Sequence, residues 1–216
     1  MGDNLMSTLL VDGINDAAGG GPKATLPTSG GSAFTLGPNW GVWEFVSTAA
    51  ITAVANLNVT GIAAGYDYLI QLEAICPTTD SNWLAMRVST DGGSSYLSGA
   101  SDYFWANLFN SINDAADSEI EINGSTNRWG NDAGNQSLIS IDLINPGGTG
   151  EGMMAKWIGG FEHDGSPPTP LSFEGFGCYV AAATAVDAVQ FGWMTNYGTD
   201  TFKAQGDITV WRRRRS

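Results

Sequence analysis

Residues Tyr66–Tyr96 read YDYLIQLEAICPTTDSNWLAMRVSTDGGSSY, and this stretch decides the fold class. Its first part alternates the apolar residues Tyr68, Ile70 and Leu72 with mostly polar neighbours. A period of two is typical of a β-strand that is buried on one face. A second run, Leu84–Ser89, alternates in the same way. The stretch therefore predicts two strands of an antiparallel sheet.

Turn residues separate these two strands and end the second one. Pro77 and Asp80 lie between them, and Asp91-Gly92-Gly93 follows the second strand. Asp and Gly tolerate the positive φ angles of tight turns, so the chain is expected to reverse there. The pattern describes an architecture, and no arrangement of residues in it indicates a reaction.

Strand-like runs recur along the chain from Trp40 onward, at intervals of roughly ten to twenty residues. Ile120 and Ile122 alternate with glutamates and are followed by Asn123-Gly124, which predicts a two-residue hairpin turn. The later runs are Ile139–Leu143, Met153–Phe161, Ser172–Ala182, Val186–Trp193 and Phe202–Trp211. About ten strands without an amphipathic helix predict an all-β fold, an antiparallel β-sandwich of the jelly-roll kind with an extended N-terminal arm.

Composition agrees with a single folded β domain. The chain has 216 residues, of which 43% are hydrophobic, only 14% are charged, and 29 are glycine. A chain of this length can bury roughly 70% of its unfolded surface in one core. The net charge of −13 argues against nucleic acid as the main partner, because phosphate binding requires a basic surface.

Three segments follow from the distribution of residue types. Residues 1–40 are mostly small and polar and cannot bury a core, so we interpret them as a disordered tail or as an arm that orders against another subunit. Residues 41–211 form the predicted β-sandwich domain. Residues 212–216 form a basic C-terminal tail, since four of the nine basic residues lie there.

The cysteines and the N-terminus indicate the cellular compartment in which the protein is made. Cys76 and Cys178 could form at most one disulfide, which is too few to hold a fold of this size together. Free buried thiols are favoured over a disulfide, and this indicates synthesis in a reducing cytoplasm. No basic residue precedes Lys23, so the short apolar run near the N-terminus does not have the pattern of a secretory signal. The apolar runs are also shorter than a membrane span requires.

The segment Ser7–Pro27, STLLVDGINDAAGGGPKATLP, resembles a leader found at the start of phage tail-fibre-like proteins. In that leader an apolar-polar strand precedes a run of the form I-x-D-x-A-G-x-G-x-P. The matching residues are Ile14, Asp16, Ala18, Gly19, Gly21 and Pro22. An additional Lys-Ala before the final Thr-Leu-Pro departs from the pattern.

The domain that begins at Tyr66 resembles the β-sandwich domains of structural proteins of tailed bacteriophages. The resemblance lies in the turn Pro77–Asp80, the run Leu84–Gly93 and Tyr96. It implies a virion component of the tail-fibre, head-fibre or capsid-decoration type, made in the host bacterial cytoplasm. It also implies capsid, tail or fibre proteins as partners and a homo-oligomer, with a trimer favoured and a virion-bound monomer as the alternative.

No catalytic residue, metal ligand or cofactor site is predicted, and the protein is not expected to be an enzyme. His163, the one histidine, lies in a loop without a nucleophile turn nearby, and we interpret it as solvated. Glu119 and Glu121 are two residues apart on one strand, a separation that a glycosidase pair can have. Alternating acids are also typical of a solvent-facing strand, and that interpretation is favoured.

One loop suggests a second kind of function. Asn127, Arg128 and Trp129 lie in a polar stretch where an indole and an amide can receive a sugar ring, so these three residues are a candidate glycan contact. The alternative function is therefore a carbohydrate-binding or receptor-binding module like an adhesin. A loop tryptophan can instead fold back on the sandwich.

Two groups of residues are candidate subunit contacts. The apolar group near the N-terminus consists of Leu9, Leu10, Val11 and Ile14, and the basic group consists of Arg212, Arg213, Arg214 and Arg215. Three arrangements of the arginines are possible: they fold back on acids of their own chain, they reach acids of a neighbouring subunit, or they extend into solvent. Guanidinium groups pair with carboxylates in bidentate geometry, so we expect docking on a neighbour.

Overall fold

The computed structural model divides the chain into two compact units, and each unit is described by itself. The described residues are 24–25, 35–36, 42–108, 112–124, 128–131, 137–148, 152–163, 169–180, 184–194 and 200–215. In the first unit, which comprises residues 1–42 and Ser216, strand β1 (Ala24–Thr25) pairs antiparallel with β2 (Thr35–Leu36). The second unit comprises Trp43–Arg215 and contains the sandwich.

The described residues of the second unit form twelve strands. They are β3 (Glu44–Ala50), β4 (Asn56–Thr60), β5 (Tyr66–Glu73), β6 (Leu84–Ser89), β7 (Tyr103–Asn107), β8 (Ile112–Asp117), β9 (Ile120–Glu121), β10 (Ser137–Ile144), β11 (Met154–His163), β12 (Thr169–Tyr179), β13 (Ala188–Trp193) and β14 (Asp207–Arg214). Eight strands form one sheet in the order β3-β14-β5-β10-β11-β12-β7-β8, and four form a second in the order β4-β13-β6-β9. All the pairings are antiparallel, and the two sheets pack as an all-β sandwich, as the sequence predicts.

The alternating stretch has the predicted structure. In β5 the side chains of Tyr68, Ile70 and Leu72 are buried, and the second alternating run becomes β6, whose apolar side chains are also buried. Gly92 and Gly93 have φ angles of +77° and +85°, which confirms the turn after β6. Polar groups fix that turn, since the Asp91 carboxylate accepts hydrogen bonds from the hydroxyls of Ser89 and Ser95.

The inner face of the large sheet places bulky side chains opposite glycines. Trp157 of β11 lies opposite Gly175 of β12, and Trp105 of β7 lies opposite Gly177. A Cβ at Gly175 would lie 2.5 Å from the Trp157 ring, so only glycine fits there. The core therefore depends on pairs in which a tryptophan on one strand fills the space beside a glycine on the next strand. Close-packed interiors require this kind of complementarity.

The prediction of a hairpin at Asn123-Gly124 is wrong. Strand β9 pairs with β6 of its own sheet, while the next described strand, β10, lies in the other sheet between β5 and β11. The side chain of Asn123 is buried, and its Oδ1 accepts a hydrogen bond of 2.7 Å from the Leu84 amide. Asn123 therefore caps the ladder between β9 and β6. The chain bridges to the small sheet again at Trp129, and the next described strand, β10, belongs to the large sheet.

Candidate interaction surface

The loop tryptophan proposed as a glycan contact is part of the core. Trp129 has no exposed surface, and its ring stacks on Phe161 with 4.2 Å between ring centroids. Trp193 contacts it edge-on at 5.3 Å, and Phe173 at 6.3 Å. The glycan contact predicted through Trp129 is therefore corrected: this indole folds back on the sandwich, where apolar burial stabilises it more than solvent exposure would.

The backbone explains why Trp129 points inward. Trp129 and Asn82 form a β-bridge in which the amide of each donates to the carbonyl of the other, at 2.6 and 3.2 Å. This bridge fixes the loop as an extension of the small sheet. Arg128 is exposed, and its guanidinium lies 5.7 Å from the centre of the Trp83 ring. Asn127 lies outside the described residues.

The arginines of the predicted basic tail belong to a strand. Strand β14 continues to Arg214 and pairs with β5 as far as Tyr66, so the boundary drawn after residue 211 is corrected. Arg212 forms an ion pair of 3.2 Å with Glu44 of β3, and Arg213 forms one of 3.0 Å with Asp67. The Glu44 carboxylate raises the pKa of Arg212 by accepting its hydrogen bond.

Asp67 takes part in several of these interactions. Its carboxylate lies 3.7 Å from Nε of Arg215 and also accepts a hydrogen bond of 3.1 Å from the Asn145 amide. Of the three arrangements considered for the arginines, Arg212, Arg213 and Arg215 adopt the first, contact with acids of their own chain. Leu9, Leu10, Val11 and Ile14, the other predicted subunit contacts, lie outside the described residues.

Glu119, one of the two glutamates considered for catalysis, has structural partners. The Glu119 carboxylate is buried and accepts a hydrogen bond of 2.6 Å from Arg87 and one of 2.7 Å from the Ser118 hydroxyl. The His163 side chain lies outside the described residues. Across the described part of the chain, no group of three or more His, Cys, Asp or Glu side chains is placed to hold a metal ion. Among the same residues, no helix is long and apolar enough to cross a bilayer.

The outer face of the large sheet carries exposed apolar side chains on four adjacent strands. These strands are β10, β11, β12 and β7, and the side chains concerned are Leu138, Ile144, Met154, Ile158, Phe176 and Phe104, each at least 38% exposed. All six alternate with the buried residues of their strands, so they share one face. We call this set the outer apolar face.

Register aligns part of the outer apolar face into a row. Ile144 lies opposite Met154, Met154 opposite Cys178, and Cys178 opposite Phe104, so the row crosses four strands without a charged residue. Burial raises the pKa of the Cys178 thiol, which keeps it protonated and apolar within this row. Phe176 lies in the next row, opposite Lys156 and Ala106.

A groove lies at the far end of the same face. It has a volume of about 780 Å³ and runs over Gly160, which has no side chain to fill it. Leu138 and Pro170 form its apolar walls, and Glu162 and Ser172 contribute polar atoms. The groove is open to solvent and includes Leu138, which also belongs to the outer apolar face.

The outer apolar face was not predicted from the sequence, although the sequence contains a signal for it. In β10 the buried face carries Ile139, Ile141 and Leu143. The opposite, exposed face also carries apolar residues, Leu138 and Ile144. A strand that faces water on one side has polar residues on that side. Departure from alternation was therefore the sign of a second apolar surface.

Comparisons with protein-family models, with curated proteins and with solved structures found no match to this chain.

Proposed function

We propose that this protein is a structural component of a bacteriophage particle, of the fibre or capsid-decoration type, and that it acts by assembly rather than by catalysis. The observation that carries the proposal is the outer apolar face. Isolated apolar residues on a surface are ordinary, but a set aligned across four strands is typical of a surface that another protein covers. The resemblance of Ser7–Pro27 to the leader of tail-fibre-like proteins supports the choice of a virion.

The row through Met154 is the part of the face on which assembly depends. Its four members lie at neighbouring positions on adjacent strands and form a strip without charges. A partner that buries this strip gains roughly 25 cal/mol for each Å² of apolar area removed from water. The partner is a shell, tail or fibre protein whose contacting surface is itself apolar.

The carbohydrate-binding alternative depended on an exposed Trp129. Since that indole is buried, a glycan would require a different surface. Assembly is therefore the function that the exposed surface supports better.

The experiment is protein mass spectrometry of purified phage particles from the phage that encodes the chain, for the parent and for Met154→Lys. The parent should copurify with particles in a fixed ratio to the major shell protein. Met154→Lys should keep its thermal midpoint, because the side chain is exposed, and should be incorporated several-fold less. Ala204→Lys, in an exposed loop, is the matched control. Absence of the parent from particles, or equal incorporation of both variants, would overturn the proposal.

The N-terminal 40 residues are proposed as the docking arm of the same assembly. Deletion of residues 1–30 should leave the thermal midpoint of the sandwich unchanged and lower incorporation into particles. A large fall in the midpoint would show that these residues belong to the core of their own chain instead.

A further inference from the structure

The two central strands of the large sheet, β10 and β11, carry complementary side chains at facing positions of the outer apolar face. An acid faces a base, a leucine faces a glycine, and two apolar residues face each other. The facing pairs are Asp142 and Lys156, Leu138 and Gly160, Ile144 and Met154, and Ser140 and Ile158. This pattern allows the face to match a copy of itself in which the two strands have exchanged places.

The charges in this part of the face are one acid and one base. Among the outward-facing residues of β10 from Leu138 to Ile144, and of β11 from Met154 to Gly160, only Asp142 and Lys156 are charged. Lys156 is exposed and Asp142 is half-buried. Although they lie opposite each other, neither forms an ion pair with another described residue. Each can therefore pair with an opposite charge on a partner.

We infer that the outer apolar face binds the outer apolar face of a second copy of this chain, about a two-fold axis that runs parallel to the strands between β10 and β11. The two large sheets then pack face to face about 10 Å apart, as aligned sheets do. This axis reverses the strand order, so β10 of one copy lies on β11 of the other. Each β10 residue consequently meets, in the second copy, the counterpart of its own cross-strand neighbour.

Charges and rings match across this interface. Asp142 of each copy meets Lys156 of the other, and because an isologous interface repeats every contact, two interchain ion pairs form. Leu69 and Phe176 lie in the same row, one strand further out on either side. The axis places Leu69 of each copy on Phe176 of the other, so an apolar contact flanks each ion pair.

Shapes also match across the interface. Leu138 is 53% exposed, and the groove of about 780 Å³ runs over Gly160, the residue that faces it. The axis places Leu138 of each copy over the groove of the other. At the opposite end of the strands, Ile144 meets Met154 of the second copy, which buries part of the uncharged row on which assembly depends.

Charge selects the direction of the axis. An axis across the strands would place β11 of one copy on β11 of the other. Lys156 would then meet residues of its own strand, and the other outward-facing residues from Met154 to Gly160 are uncharged. Burying a charge without an opposite charge beside it is strongly unfavourable. The axis parallel to the strands avoids this cost.

The face is large enough for a stable pair. Six strands, from β14 to β7 in the sheet order, span it. With strands about 4.8 Å apart, and about seven residues per strand at a rise of about 3.4 Å, the projected area is roughly 700 Å² per copy. A stable interface buries about 800 Å² of each partner, and side-chain relief makes the contacting area larger than its projection.

The inference rests on the proposed function, because it names the partner that covers the outer apolar face: a second copy of a chain that is itself of the fibre or decoration type. It yields a two-fold pair, whereas the resemblance implies a trimer. The two proposals can fail separately. A monomeric chain that still enters particles through Met154 would overturn the inference alone, and a dimer that is absent from particles would overturn the proposed function alone.

The experiment measures the dimer dissociation constant of the purified full chain by analytical sedimentation. Asp142→Lys places two bases against each other at both symmetric contacts, and Lys156→Asp places two acids there. Like charges that face each other across an interface cost several kcal/mol, so each variant alone should dimerise at least about tenfold more weakly than the parent. An equimolar mixture of the two variants should recover the dimer, because each supplies the charge that the other lacks.

The matched control for this charge reversal is Asp80→Lys, at an exposed acid of the loop between β5 and β6, which should leave the dissociation constant unchanged. Three outcomes contradict the inference: a parent chain that is monomeric at micromolar concentration, single variants that dimerise as well as the parent, and a mixture that associates no more tightly than its two components.

A second pair of variants tests the fit of Leu138 over the groove. Gly160→Leu fills the groove with a side chain of the same chain, so the dissociation constant should rise several-fold or more. Gly160→Ala is the matched control, because its Cβ would meet only the Leu171 carbonyl oxygen and leaves most of the groove open. Equal dissociation constants for these two variants would show that Leu138 of a second copy does not occupy the groove. If the charge variants do not fold, this comparison decides alone.

Discussion

Trp157 of β11 lies directly opposite Gly175 of β12, and the indole fills the space that a side chain at position 175 would occupy. An added Cβ at Gly175 would lie 2.5 Å from Cζ2 of Trp157 and 2.6 Å from the Ala106 carbonyl oxygen. Trp157 is also held in place, since its Nε1 donates to Oδ1 of the buried Asn107 at 3.3 Å. The sheet therefore cannot accommodate a methyl group here without displacing backbone.

Gly175→Ala should lower the free energy of unfolding by about 1–3 kcal/mol or more, because overpacking forces the surroundings to shift. Gly160→Ala on the neighbouring strand is the matched control, since its Cβ would meet only the Leu171 carbonyl oxygen, at 3.2 Å. Urea denaturation of both variants makes the comparison. Equal losses of stability would show that the space around Trp157 is not restricted.

The burial of Trp129 gives a second prediction. Trp129→Ala removes a fully buried indole from a cluster with Phe161, Phe173 and Trp193, and should destabilise the protein by about 3–5 kcal/mol. Arg128→Ala, at the exposed neighbouring position, should cost much less, about 1 kcal/mol, which is what an exposed contact between a guanidinium and the Trp83 ring contributes. Thermal and urea denaturation provide the measurement. A stable Trp129→Ala variant would mean that the indole is not part of the core.

Much of the fold could be predicted from local patterns. Tyr68, Ile70 and Leu72 alternate with a period of two, and this period depends only on the geometry of a strand. The turn at Gly92 and Gly93 was predictable for a similar reason, because few residue types adopt positive φ.

Long-range choices were not predictable. Asn123-Gly124 has the local chemistry of a hairpin, but the partner of β9 is β6, more than thirty residues earlier in the chain. The burial of Trp129 depends on its bridge to Asn82 and on aromatic rings from three other segments. Neither contact leaves a periodic trace in the sequence, because each is fixed by sheet packing rather than by neighbouring residues.

The ion pairs of the last strand lead to a third prediction. Asp67→Ala should cost about 1–3 kcal/mol, because the carboxylate bonded to the Asn145 amide and to Arg213 is lost and that amide has to find another partner. Arg213→Ser should cost less, about 0–1 kcal/mol, since its side chain is 40% exposed and solvent screens the pair.

The matched control for this pair is Arg214→Ser, on the exposed residue next in sequence, which should have little effect. Urea denaturation at low and high salt separates the contributions, and the cost of Arg213→Ser should diminish as salt increases. If Arg213→Ser and Arg214→Ser behave alike at every salt concentration, the contact with Asp67 does not stabilise the fold.

The turn after β6 gives a prediction about pH. Hydrogen bonds lower the pKa of Asp91 to about 2, and the Ser95 hydroxyl makes the largest contribution, followed by the Ser95 amide and the Ser89 hydroxyl. In an unfolded chain the pKa of an aspartate is about 3.9. Because the folded value is the lower one, the carboxylate stabilises the fold above about pH 4, and this contribution is lost as the pH falls towards 2.

Ser95→Ala removes the leading hydrogen bond to Asp91, so the variant should be less stable than the parent at pH 6, with a difference that shrinks as the pH approaches 2. Ser94→Ala is the control, because the Ser94 hydroxyl donates to the backbone carbonyl of Asp91 and not to its carboxylate. Urea midpoints measured between pH 2 and pH 6 make the comparison, and an NMR titration should place the Asp91 pKa of Ser95→Ala above that of the parent. A stability difference that is the same at every pH would show that the hydroxyl acts on the turn without acting on the ionisation of Asp91.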